Sequence, residues 1–72
     1  MNVEKIIEIL RRIDENGGEM DLTHFYRSNL SFGYVSEILK WLRRKGLVIG
    51  YNPIKITEKG KQFLKLVGEE DD

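Results

Sequence analysis

Apolar positions near the N-terminus recur at helical spacing: Val3, Ile6, Ile7, Leu10 and Ile13 fall on one side of a helix. The run ends at Asn16-Gly17-Gly18, where glycine supplies the left-handed backbone that terminates helices. Ile9 lies off that stripe and either widens the buried face or marks a contact with another chain. Asp21 is placed to cap a short second helix over residues 22–28, with Leu22, Phe25 and Tyr26 on its apolar side, and Met20 before it suits a very short strand or a staple. Asn29 then makes a turn, Leu30 plugs the angle between two helices, and Ser31 caps a third helix over residues 32–45 that stops at Gly46. Val35, Ile38, Leu39 and Leu42 form the buried stripe of this third helix. Gly33, Ser36, Glu37, Lys40, Arg43 and Arg44 therefore face outward, with Tyr34 and Trp41 on one flank between core and solvent.

Beyond Gly46 the pattern changes from helix to strand. Residues 47–51 are rich in β-branched side chains and bounded by Asn52-Pro53, and residues 54–57 alternate apolar with polar, which together predict a hairpin with a tight turn. Thr57 caps a fourth helix that begins at Glu58 and buries Phe63, Leu64 and Val67. Gly60 inside that helix costs roughly 1 kcal/mol relative to alanine, so it implies close packing against another backbone. Gly68 closes the ordered part. The expected organisation is one domain over residues 1–68 and an acidic, disordered tail over residues 69–72.

Composition narrows the function classes. A domain of 72 residues buries only roughly 60% of its unfolded surface and leaves little room for an enclosed pocket. With no cysteine and one histidine, disulfides, thiolate metal sites and a multi-histidine site within one chain are excluded. Neither a membrane-spanning run nor a secretion signal is evident, so a cytoplasmic location is expected. The formal net charge of zero conceals a sorting by position. Residues 1–26 carry three basic and six acidic side chains, for −3; residues 27–68 carry nine basic and two acidic, for +7; residues 69–72 carry −4. A basic body of this kind is suited to a polyanion if its cations share a face.

The order helix, helix-turn-helix, hairpin, helix describes an α+β, mostly helical fold: a winged helix-turn-helix with a three-helix core, a two-stranded wing and a short C-terminal helix. Through the stretches NLSFGYVSEILKWLRRKGLV and IKITEKGKQFL the chain resembles the small archaeal winged-helix DNA-binding proteins, a group of transcription regulators and chromatin-associated proteins. The resemblance covers about residues 3 to 67. It implies contact with double-stranded DNA by the third helix and the wing at about residues 47–57, often as a homodimer, and a nucleoid-associated role. Chromatin members of the group continue into a long C-terminal coiled coil, which the short fourth helix here does not match, so their mode of dimerisation does not carry over.

On the residues themselves, an α-helix with an apolar back and a polar, positive front fits the major groove. Ser31, Gly33, Tyr34, Ser36, Glu37 and Lys40 are the candidates to meet base edges, and Glu37 is suited to accept from cytosine. Arg27, Lys40, Arg43, Arg44 and Lys55 are the candidates to meet phosphates, which fix register and read no sequence. The run Arg43-Arg44-Lys45 also complements the negative end of a helix dipole, and His24 reads as a surface residue. Ile9, Leu66 and Val67 are spare apolar residues for a dimer interface. No nucleophile–base set and no phosphate-binding glycine loop occurs, so neither an enzyme, a cofactor, a metal nor a small-molecule ligand is expected. The alternative is a protein-interaction winged helix within a transcription or replication assembly, which the near-zero net charge, Glu37, Tyr34, Trp41 and Ile9 favour, whereas the charge segregation favours DNA.

Overall fold

The computed structural model describes residues 2–21, 23, 25 and 32–69, and of Phe32 and Glu69 the backbone alone. The turn at Asn29, Leu30 and Ser31, together with Leu22, His24, Tyr26, Arg27 and residues 70–72, lies outside the described residues. Of the predicted second helix, Thr23 and Phe25 are described, both in helical conformation, and Phe25 is buried.

The first helix, α1, spans Val3–Glu15. The Asn2 side chain caps it by accepting a 2.8 Å hydrogen bond from the Glu4 N–H, which satisfies one of the amides a helix start leaves free. Gly18 N–H closes its end by donating to the Ile13 carbonyl, with Gly17 at φ +81° between them. Its buried face consists of Ile6, Ile9, Leu10 and Ile13. This bears out the widened buried face that Ile9 offered and corrects the expected stripe at Val3 and, in part, at Ile7, which is half-buried. Ile9 is wholly buried at 0% exposure in this chain's own core and so cannot serve a dimer interface, whereas Val3 stands exposed. Ile9 lies three residues from Ile6 and four from Ile13, so the buried stripe is centred on it once Val3, at the helix start, overhangs the core.

A short strand β1 (Glu19–Met20), the hairpin strands β2 (Val48–Ile49) and β3 (Ile54–Ile56), and two further helices complete the frame: α2 (Phe32–Arg44), which is the predicted third helix, and α3 (Glu58–Glu69). The sheet is antiparallel in the order β1-β3-β2, so the hairpin gains a third strand through pairing of Glu19 with Lys55 and Met20 with Ile54. Side chains alternate across it: Met20, Val48, Ile54 and Ile56 face the core, while Glu19, Ile49 and Lys55 face outward. From α2, Val35, Ile38, Leu39 and Leu42 enter the same core, as predicted, and each fully buried Leu or Ile contributes about 1.5–3 kcal/mol relative to exposure.

The end of α2 and the start of α3 are locked to each other. Leu47 N–H donates to the Leu42 carbonyl (2.9 Å) and Gly46 N–H to the Arg43 carbonyl (3.0 Å), the paired bonds of a Schellman end with Gly46 at φ +75°. Thr57 then joins the two helices: its hydroxyl donates to the Gly46 carbonyl (2.7 Å) and accepts from Gly60 N–H (3.0 Å), while its own N–H donates to the Leu47 carbonyl (3.0 Å). The close approach expected at Gly60 is present. A methyl group there would collide with the Leu47 carbonyl oxygen and lie 2.7 Å from Ile56 Cγ1. Leu64 is buried, and Phe63 and Val67 are half-buried against the core. The helix runs through Gly68 to Glu69, one residue beyond the end expected for the domain, because a helical glycine weakens a last turn without breaking it.

Alanine at Gly60 and at Gly33 should therefore act in opposite directions, although both sites are helical. Gly60→Ala gains about 1 kcal/mol of helix propensity but forces a backbone shift costing more, for a net loss of about 1–3 kcal/mol. Among the described residues a methyl group at Gly33 meets nothing within 4 Å, so Gly33→Ala should be neutral or stabilising by up to about 1 kcal/mol. Urea midpoints at unchanged m-value check both signs. A neutral Gly60→Ala would contradict the close approach.

Candidate nucleic-acid interface

The outward side of α2 carries Gly33, Glu37, Lys40 and Arg44, all exposed, on one line along the helix, with Ser36 and Arg43 half-exposed beside it. Tyr34 and Trp41 are half-buried and pack against the core edge, as their flank position predicts. The Lys45 ammonium lies 5.7 Å from the Trp41 ring centroid, within cation–π reach. The line begins uncharged at Gly33, turns negative at Glu37 and ends positive at Lys40 and Arg44. Among the described residues no cation lies within ion-pair distance of Glu37.

Arg43 reaches away from this line to the hairpin. Its Nε–H donates to the Gly50 carbonyl (2.9 Å), and its guanidinium carbon sits 3.9 Å from the centroid of the Tyr51 ring, whose residue is 68% exposed. Gly50 makes this possible. It holds φ +83°, and a side chain there would come within 2.8 Å of the Pro53 carbonyl oxygen. The turn of residues 50–53 thus presents a carbonyl and a ring to one guanidinium, whose planar fork suits both contacts at once. Arg43 is a brace between α2 and the hairpin, a use its classification as a phosphate candidate did not capture. The role of Tyr51 leaves little trace in sequence, because it depends on a turn geometry that sets two distant residues face to face.

Three further cations lie in two places. The Lys59 stem passes the end of α2, with its Cδ 3.9 Å from where a Cβ on Gly46 would stand, so Lys59 adds to the positive end formed by Arg44 and Lys45. Helix-capping logic at Thr57 could have indicated this, since it sets Lys59 beside the α2 terminus. Lys55 and Lys61, by contrast, line a depression with Gly17, Gly18 and Glu19. The Lys55 ammonium lies 4.0 Å from a Glu19 carboxylate oxygen, both side chains being more than half exposed. This partner follows from the β1–β3 register. Leu66 is 66% exposed on α3, and Val67 is half-buried. Ser31 and Arg27 lie outside the described residues.

The outer side of α1 has a different character. Glu4, Ile7, Glu8, Arg11, Arg12 and Glu15 line an open depression, and Glu8 receives hydrogen bonds from Lys5 (3.1 Å) and Arg12 (3.3 Å). The Lys5 hydrogen bond, the largest influence, holds the Glu8 carboxyl below its ordinary value; burial opposes it, and the charges of Lys5 and Arg12 with the Arg12 hydrogen bond add to the lowering. Lys5 and Arg12 are thus engaged with a carboxylate of their own helix. Among the described residues no group of three or more His, Cys, Asp or Glu side chains is arranged to hold a metal ion, and no helix is long and apolar enough to cross a membrane.

Among the described residues, three helices with a small antiparallel sheet, and a hairpin braced against the exposed-faced helix α2, define a winged-helix architecture. The chain belongs to the winged helix-turn-helix family, whose model matches residues 2–72. No curated protein and no solved structure gives a significant match to it.

Replacing Arg43 by Lys keeps the charge and removes both the Nε–H donor and the planar stack. Arg43→Lys should lower stability by about 1 kcal/mol and speed amide hydrogen exchange in residues 48–54 more than elsewhere. Exchange that is unchanged in the hairpin would show that Arg43 does not brace it.

Proposed function

We propose that this protein binds double-stranded DNA, with α2 in the major groove and the β2–β3 hairpin along the sugar-phosphate backbone, as a transcription regulator or nucleoid-associated protein acting in the cytoplasm. The observation that carries this reading is the exposed line on α2, ending in Lys40 and Arg44 and continued by Lys45 and Lys59 beside the braced hairpin. A helix with this back-to-front division fits the groove, and cations at its C-terminal half reach the flanking phosphates. In this reading Gly33, Tyr34, Ser36, Glu37 and Lys40, with Ser31 preceding them, approach base edges; Arg27, Lys40, Arg44 and, at the hairpin, Arg43 and Lys55 approach phosphates. The protein acts as a homodimer in which exposed Leu66, with Val67, joins the two copies through α3, and its half-sites lie about 34–36 Å apart.

A second reading is a module that docks another protein. It is favoured by Ile49 and Tyr51, both more than half exposed at the hairpin.

Fluorescence-anisotropy titration of a random-sequence duplex at several salt concentrations tests the first reading. Log affinity should fall with log salt at a slope of roughly −4 to −5, and the Lys40→Ala/Arg44→Ala double variant should make that slope shallower by about 2. Absence of binding at low salt would remove the DNA reading and leave the docking module.

A further inference from the structure

Glu37 is the one carboxylate on the exposed line of α2, and three features distinguish it from an ordinary solvated acid. Among the described residues no cation pairs with it, although Lys40 follows three residues later on the same face. The position one turn before it is Gly33, exposed and, among the described residues, with nothing within 4 Å of where a Cβ would be. Long helical side chains lean toward the N-terminus, over the turn that precedes them, and the turn preceding Glu37 carries Gly33, which offers no side chain of its own. Lys40 and Arg44 lie on its other side, so the carboxylate occupies the N-terminal part of a face whose C-terminal part is cationic.

Brought to a duplex, a carboxylate is repelled by phosphates and can accept only from an exocyclic amine. In the major groove the cytosine N4 amine offers a donor without the adjacent N7 acceptor that accompanies the adenine amine, and that acceptor would face the carboxylate's second oxygen. We propose that Glu37 is the specificity-determining residue of the α2 face, selecting sites that place a cytosine opposite it and raising the free energy of every other site. The inference rests on the DNA reading above and deepens it. Lys40 and Arg44 supply attraction that does not depend on sequence, and Glu37 converts part of it into discrimination through the penalty of an unpaired carboxylate.

The test is selection from a randomised duplex library, followed by anisotropy with the chosen sites, for the wild type, Glu37→Gln and Glu37→Ala. The wild type should enrich cytosine at one position of each half-site and bind it about tenfold or more tightly over the other three bases. Glu37→Gln, which presents both an acceptor and a donor, should move that preference to adenine, and Glu37→Ala should lose it while binding random duplex more tightly than the wild type. Glu37 is exposed, so all three proteins should give the same circular dichroism spectrum and unfolding midpoint. Wild-type binding with no base preference, or a cytosine preference that survives both substitutions, would overturn the assignment of Glu37 and leave DNA binding intact. A wild type that binds no duplex at low salt would overturn both.

Discussion

Thr57 holds together the two halves of this molecule with three hydrogen bonds. Its hydroxyl spans the Gly46 carbonyl at the end of α2 and the Gly60 amide in the first turn of α3, and its own amide is tied to Leu47. Behind it, Gly60 lies so close to the Leu47 carbonyl that no side chain fits between them. This joint fixes where α2 stops and where the sheet begins. It also sets the start of α3 beside the end of α2, and with it Lys59. In a chain this small, whose described core packs between α1, α2, α3 and a short sheet, helix ends are a large share of the polar groups that must be satisfied. Here two helix ends satisfy each other.

Because the joint is closed with backbone groups, the outward surfaces on either side of it are free to carry chemistry. The apolar positions of α2 are used up by the core, which leaves Gly33, Glu37, Lys40 and Arg44 without structural duties among the described residues. Arg43 spends its charge differently, fastening the hairpin to the helix through Gly50 and Tyr51. The hairpin is thereby held in a set relation to the exposed line. On α1, the carboxylate of Glu8 is occupied by Lys5 and Arg12, so that helix turns a mixed and self-paired surface outward. The asymmetry of charge along the sequence thus becomes an asymmetry between surfaces, although an incomplete one: Lys55 and Lys61 lie near Glu19, away from the end of α2.

Much of this frame was legible in the residues. The glycine stops at Gly17 and Gly46, the Thr57 cap, the close approach at Gly60 and the alternation across the hairpin each follow from local chemistry that acts within a few residues. Features set by tertiary placement were harder to read. The choice between the two readings of Ile9, and the exposure of Val3, depend on the line along which the core meets α1. The third strand and the Glu19–Lys55 pair arise from a strand register that no local motif announces. The brace from Arg43 to Tyr51 needed the backbone of Gly50 to be placed first. Of the candidate site, the outward position of Gly33, Glu37, Lys40 and Arg44 followed from helical spacing, whereas the contribution of Lys59 depended on how α3 meets α2.

The claim that binds these observations is that the outward line of α2 and the braced hairpin form one working surface. Amide chemical-shift mapping of the labelled protein during titration with a short duplex measures this most directly. The account predicts that shifts concentrate at Gly33, Glu37, Lys40, Arg44 and the residues 49–53 turn, with the α1 amides near Glu4, Glu8 and Glu15 unmoved. Shifts centred on α1 or on the Leu66 side of α3, with the α2 line silent, would contradict it.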